Sequence, residues 1–406
     1  MDGDIAISGG GIVGTSLALT LAREGLSVLL FDRMPSATPK KSGVDGRAFA
    51  LSLSSCSLLK SIGLADLLRD RGQKITSVHI SDGRAGEGAG PIALNLDAGE
   101  IQTDSFGCMI EGRYLLEGLI ELAAVEPGIV RFSPSVVSKC RIESSKAILS
   151  LSSGQEYSST AVAGCDGRNG PVARWIDPPR IEKDYGQSAI VCAVAHERPH
   201  CGTAHQFFMP PGPIAILPMP GSLSSIVWTE STSEASRLVS LPEEEFMHEL
   251  RPRFGDFLGA LRLAGDRFVW PLSLSLAERT AAPRATLVGE SAHGLHPLAG
   301  QGLNLGLRDV AALTEIIVLA HRRGEDFGSI NVLRRYQEWR RIDAASLAAA
   351  TDFFNWIYSS DNGMLRAARS LGMGIVDGMP WLRRALIREA AGMSGMQPRL
   401  ISGKPL

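Results

Sequence analysis

The stretch Asp4–Arg33, DIAISGGGIVGTSLALTLAREGLSVLLFDR, decides the fold. Ile5–Ser8 is a short apolar run of strand character, and a glycine turn follows it. Leu17 and Leu21 then mark one face of a helix, Gly25 ends that helix, and Val28–Phe31 reads as a second buried strand. Strand, glycine turn, helix and strand make a βαβ unit. The sheet is therefore parallel and the fold class α/β.

Within the turn the glycines follow the spacing Gly9-x-Gly11-x-x-Gly14. Gly9 permits the tight turn, Gly11 lets a pyrophosphate approach the backbone, and Gly14 allows close helix–strand packing. Free N–H groups at the helix start face the phosphate. Asp32 ends the second strand, where a carboxylate accepts ribose hydroxyls. Arg33 beside it reads as a solvated charge near the adenine, with a 2′-phosphate ligand as the other reading. The motif alone says dinucleotide, either NAD(P) or FAD.

Further along, a helical stretch is expected near Leu58–Arg71 and an amphipathic helix around Arg113–Val125. Residues 130–165 alternate like a small antiparallel meander, and short strands run from Gln187 to Trp228. The strand "RATLVGE" at 284–290 returns to the first domain, and everything beyond Gly302 reads as helix. The expected division is a discontinuous dinucleotide-binding domain (1–70, 98–180 and 280–330), an inserted β-sheet substrate domain (71–97 and 181–279) and a C-terminal helical region (331–406).

A second glycine loop separates the two cofactors. In GESAHGLHPLAGQGLNLGLRDV, Gly289–Val310, a strand ends in the carboxylate of Glu290, and Pro297 fixes a turn that Gly300 and Gly302 keep clear. A simple nicotinamide enzyme needs no such cradle at the far end of the chain. FAD does, because its isoalloxazine ring lies far from its pyrophosphate. The positive end of the following helix suits the negative charge that a flavin gains on reduction.

These residues carry a family resemblance. The chain resembles the class A FAD-dependent monooxygenases, and more narrowly the ubiquinone-biosynthesis hydroxylases. The similarity includes DGRAFALSLSS at 45–55, AGCDG at 163–167, YGQSAIV at 185–191, FMPPGPIAILPMP at 208–220, SIVW at 225–228 and WPLSLSLA at 270–277. It extends to the loop HPLAGQGLNLGLRD and the tail GMSGMQPRLISGKPL at 392–406. The resemblance implies a p-hydroxybenzoate hydroxylase-like fold, with a Rossmann-like FAD-binding domain, an inserted β-sheet and C-terminal helices. It also implies that Arg47 and Arg113 lie along the phosphate and ribityl chain, and that Asp166 lies near flavin and a transient nicotinamide site. The amides of Leu303 and Asn304 are implied to meet the pyrimidine edge. Two departures stand out. Glu290 replaces the usual Asp, and RNGPVARW follows Asp166–Gly167 in place of the usual Ser and Val-Arg.

Composition bounds the function. Of the 406 residues, 44% are hydrophobic and 21% charged, as in ordered globular proteins, and the formal net charge of -2 offers no footprint for nucleic acid. The 44 glycines exceed the usual share of about 7%. The six cysteines form no CxxC pair, so reduced thiols in a cytoplasmic protein are expected. With a first strand starting almost at once, no signal or transit peptide is expected. No apolar run reaches the roughly 18–20 residues of a membrane span.

Other clusters read as structure. His293 and His296 lack further metal ligands. His296 serves either as a proton-moving group beside the flavin, the catalytic candidate, or as a turn residue. Cys192, His196, His200, Cys201 and His205 read as a β-hairpin with ERPHCG at its turn, and no metal is expected. The stretch 364–392 interleaves apolar residues with Arg366, Arg369, Arg383, Arg384 and Arg388. Packing on its own domain is one reading, and peripheral contact with the inner face of a membrane is the other.

The expected function is hydroxylation of a polyprenylated phenol in ubiquinone biosynthesis, using FAD, NAD(P)H and O2. Two alternatives are a hydroxylase of small soluble aromatics and a weakly active flavin-binding subunit of a quinone-synthesis complex.

Overall fold

The structure is a computed structural model that describes residues 1–35, 44–84, 86, 93–295, 300–359 and 372–406. Its first sheet is built on five parallel strands. Ala285–Leu287, Glu156–Gly164, Gly3–Ser8, Val28–Phe31 and Ile129–Phe132 lie side by side in that order. Ile5, Ala6 and Ile7 are buried on both faces, the pattern of a parallel strand covered by helices. The helix Ile12–Arg23 crosses one face and Gly25 ends it at φ +91°. Its partner across that face is the long helix Gln301–Arg322, and Thr20 and Thr314 share a 2.8 Å hydroxyl contact between the two. The first strand lies between the strands on either side of it, and its carboxyl end is the switch point where this topology binds ligands.

The meander is present as Val137–Ile142, Ala147–Leu151 and Glu156–Gly164, paired antiparallel. The amphipathic helix spans Gly112–Val125. The helix expected near Leu58–Arg71 begins earlier and breaks. Gly63 takes φ +92° and splits it into Leu53–Leu59 and Ala65–Arg71, with Ser52 capping the first.

A second, mostly antiparallel sheet carries Phe268–Ala277, Arg180–His196, Leu223–Ser231, Ile214–Met219, Thr203–Phe208, Ser77–Asp82 and Ala93–Asp97 in spatial order. The expected hairpin across ERPHCG does not form. Arg180–His196 and Thr203–Phe208 are separated by two other strands, and Thr203–Phe208 pairs parallel with Ser77–Asp82. Leu223–Ser231 gives Arg180–His196 a longer apolar partner than the next strand in sequence.

One face of this sheet packs Ile190, Cys192, Ile226 and Trp228 against helices Thr232–Ser240 and Glu243–Phe254. The other face joins Ala204, Leu217, Val78 and Ile80 to Met109 and Ala50 of a small three-stranded sheet. Ile387 of the helix Pro380–Ala390 closes that apolar cluster. Beyond Gly302 the chain is helical in Gln301–Arg322, Ile330–Ser359 and Pro380–Ala390, but the tail after Ala390 runs as turns rather than helix. Gly392 and Gly395 at φ +71° and +74° break it there. All six cysteines are free thiols.

Candidate flavin site

The first glycine turn is closed behind and open in front. A Cβ on Gly9, which takes φ +105°, would stand 2.4 Å from the Cys165 carbonyl oxygen, and one on Gly14 would stand 1.8 Å from the Gly9 carbonyl oxygen. A Cβ on Gly11 would meet nothing within 4 Å. The helix Ile12–Arg23 starts at Gly11 with no side-chain cap and no acid in its first turn. Its first N–H groups therefore remain for an anion. Asp32 follows Phe31 directly, half-buried, and its Oδ1 accepts the Met34 N–H at 3.0 Å, while Arg33 is exposed. The GxGxxG spacing does not single out Gly10. Here it matters as well, because a Cβ on it would stand 2.6 Å from Asp32 Oδ2.

The second turn has the same character. Gly300 takes φ +62° and begins the helix Gln301–Arg322 without a side-chain cap. A Cβ on Gly302 would again meet nothing within 4 Å. Helical spacing leaves the N–H groups of Gln301, Gly302 and Leu303 without an intrahelical acceptor. Gln301 Oε1 is buried with no hydrogen-bond partner among the described residues. Asn304 acts through its side chain: Oδ1 accepts the Ser52 N–H and Nδ2 donates to the Ala50 carbonyl, each at 2.8 Å. That staples the strand Ala48–Ser52 to the start of the helix. His296 and Pro297 lie outside the described residues.

Behind this turn sits a buried ionic hub. Asp309 Oδ2 contacts His293 Nε2 at 2.6 Å and accepts the Gly289 N–H at 3.0 Å, and its Oδ1 accepts from Arg340 Nε at 2.8 Å. Asp309, His293 and Arg340 are all buried. Burial alone would raise the Asp309 carboxyl, but the His293 and Arg340 charges outweigh it and hold the group down at about 2. The hub ties the start of the flavin loop, its helix and the helix Ile330–Ser359 together. The one sequence trace of it is an Asp within the apolar stretch Leu305, Leu307 and Val310, which does not name its partners.

Asp166 joins the two turns. Its Oδ2 accepts from Ser8 Oγ at 2.7 Å and its Oδ1 from Ser291 Oγ at 3.4 Å, and burial raises its carboxyl above the ordinary value. The departure after it has a steric reason, since a Cβ on Gly170 would stand 1.9 Å from Asp166 Oδ1. Glu290 is exposed, 3.7 Å from Arg168. Arg47 pairs with Asp45 at 2.6 Å and stacks over Phe268 of the second sheet. Arg113 pairs with Glu111 at 2.9 Å and opens, with Val44 and Asp45, onto a cavity of about 910 Å³ walled opposite by His196, Leu223 and Leu263.

Of the histidine–cysteine cluster, His196 and His200 meet edge to face with ring centroids 5.6 Å apart, and the others point elsewhere. Cys192 lies in the sheet core, His196 bonds the Arg198 carbonyl and Ser224, and the His205 ring lies tilted against Phe257 with centroids 4.4 Å apart.

Two clear glycine turns, each opening an uncapped helix with free amides, fit a long cofactor bound at both ends, as FAD is. The class so defined is a two-lobed FAD-binding fold. The FAD binding domain family matches residues 2–351, and the chain belongs to that family, as a class A flavoprotein monooxygenase related to the ubiquinone hydroxylases. It is 40% identical over 406 residues to "Ubiquinone hydroxylase UbiL" of Rhodospirillum rubrum, covering 99% of this chain and 93% of that one. It is 31% identical over 392 residues to the "3-demethoxyubiquinol 3-hydroxylase" of Escherichia coli, covering 96% and 98%. Among solved structures, the p-nitrophenol 4-monooxygenase PnpA from Pseudomonas putida shares the fold, with TM-score 0.78 at 18% identity over 97% of this chain and 98% of that chain.

Proposed function

We propose that this enzyme hydroxylates the phenol ring of a polyprenylated quinone precursor, with NAD(P)H and O2 as co-substrates. The observation that carries the reading is the 40% identity to a ubiquinone hydroxylase across 99% of the chain. The apolar cluster from Ala204 and Leu217 to Ile387 supports it, because it reaches Ala50, 3.4 Å from where a Gly300 Cβ would lie. The cluster itself is packed core, and an apolar tail would lie at its edge, at the half-buried Ala50 beside the ring site.

FAD, once reduced, supplies the activation of oxygen. The chain binds and orients. The amides opening Ile12–Arg23 would hold the pyrophosphate, and Asp32 would accept from the ribose. The amides of Gln301, Gly302 and Leu303, at the positive end of their helix, would hold the pyrimidine edge of the ring and would favour the negative charge it gains on reduction. The hub at Asp309 fixes the loop that presents those amides. The apolar face of the second sheet keeps water away from the reacting ring. Arg113 would lie along the phosphate and ribityl chain, and the nicotinamide nucleotide would come in near Asp166.

Mass spectrometry of quinone-pathway lipids in cells lacking this protein tests the reading. A prenylated precursor short of one hydroxyl is expected, and its structure names the ring carbon. Unchanged quinone with no accumulated precursor, in cells lacking every related hydroxylase as well, would overturn it in favour of a small soluble aromatic.

A further inference from the structure

The helix Pro380–Ala390 has two contrasting sides. Ile387 is fully buried in the apolar cluster beneath the second sheet, and Val376 and Ala390 pack against the same cluster. Arg383, on the inner side, binds Glu100 and the Asn95 carbonyl and pairs with Asp377, which locks the helix to the sheet edge. The outer side is different. Trp381, Arg384, Ala385 and Arg388 recur at helical spacing, and all four are exposed. Trp381 is 67% exposed, and Ile375 and Met379 just before the helix are 47% and 39% exposed.

A tryptophan two-thirds exposed, followed on the same side by two exposed arginines, is a poor choice for a face that meets only water. Arg384 Nε bonds the Pro380 carbonyl within the helix, and neither Arg384 nor Arg388 has an ion pair among the described residues. Glu389 is exposed on the adjoining side, and Asp377 is engaged by Arg383. The charge offered outward is therefore positive, set around an aromatic ring whose amphipathic body suits a headgroup layer.

We propose that this outer face docks on an anionic lipid bilayer. Trp381, Met379 and Ile375 enter the headgroup boundary, and Arg384 and Arg388 meet lipid phosphates. Because the inner side of the same helix closes the apolar cluster that leads to Ala50, docking brings the lipid surface to the edge of that cluster. The inference rests on the proposed tailed substrate only for its purpose. The contact itself stands on the exposed face.

Flotation of the FAD-loaded full chain with vesicles tests it. Binding is expected to mixed phosphatidylcholine–phosphatidylglycerol vesicles and not to phosphatidylcholine alone, and to weaken with salt. Arg384→Gln and Arg388→Gln should each lower partitioning about fivefold, and Trp381→Ala should lower it further, with flavin content and thermal midpoint unchanged. Three results would overturn the proposal. The native protein could stay in the aqueous fraction, the variants could float as well as it does, or Trp381→Ala could convert a dimer to a monomer and so mark a contact between copies. The assay reads no hydroxylation, so its failure leaves the proposed reaction standing, and failure of the reaction leaves docking measurable.

Discussion

Asp309 shows what a single carboxylate can fix. It accepts from Gly289, His293 and Arg340 at full burial, so its removal leaves the buried Arg340 guanidinium to its second carboxylate partner, Asp343. Asp309→Asn should cost about 1–3 kcal/mol of stability, read by urea unfolding, and should speed flavin loss. The folded carboxyl is held at about 2 against an ordinary 3.8. Its contribution is therefore complete above about pH 4 and falls away as the pH drops toward 2. His205 acts at higher pH. Burial, aided by His79, lowers its pKa from 6.5 to about 4. The folded state thus favours the neutral ring. Stability should be full above pH 6.5 and should decline by roughly 1–3 kcal/mol as the pH falls to about 4. His205→Phe should flatten that slope in denaturant titrations.

The glycines separate folding from binding at the level of elements. A Cβ on Gly14 collides with the Gly9 carbonyl at 1.8 Å, so Gly14→Ala should fail to fold well. Gly302 has open space around it. Gly302→Ala should keep the apo thermal midpoint and lose FAD affinity by tenfold or more, about 1.4 kcal/mol, measured by flavin fluorescence titration. Equal affinity would mean that no ring approaches that turn. Asn304→Ala removes the bonds to Ser52 and Ala50 and should cost roughly 1–3 kcal/mol, with the strand Ala48–Ser52 loosened from the helix. The βαβ unit, the meander and the two glycine turns were legible because their signals are local in sequence. The hub was less so. Its members lie sixteen and thirty-one residues from Asp309, and nothing local announces that three elements meet there.

At the scale of the whole molecule, strand order was the least legible feature. ERPHCG carries good turn residues, yet the strands on either side find better partners elsewhere, and Ser77–Asp82 crosses from another part of the chain to pair with Thr203–Phe208. Sequence periodicity reports which face a residue takes, not which strand lies beside it. The C-terminal helix was legible as basic and amphipathic. That its buried side closes the cluster near Ala50 while Trp381 faces outward follows only from packing. Through Ala50, 3.4 Å from where a Gly300 Cβ would stand, that cluster reaches the second glycine turn.

The most direct test of the central claim is oxygen-18 incorporation by the purified FAD-loaded enzyme. It should be supplied with NADPH or NADH, labelled dioxygen and a prenylated phenol, and the product analysed by mass spectrometry. One labelled oxygen atom on the phenol ring is the predicted result. Flavin reduction and oxygen uptake without labelled product from a range of prenylated phenols would contradict the account.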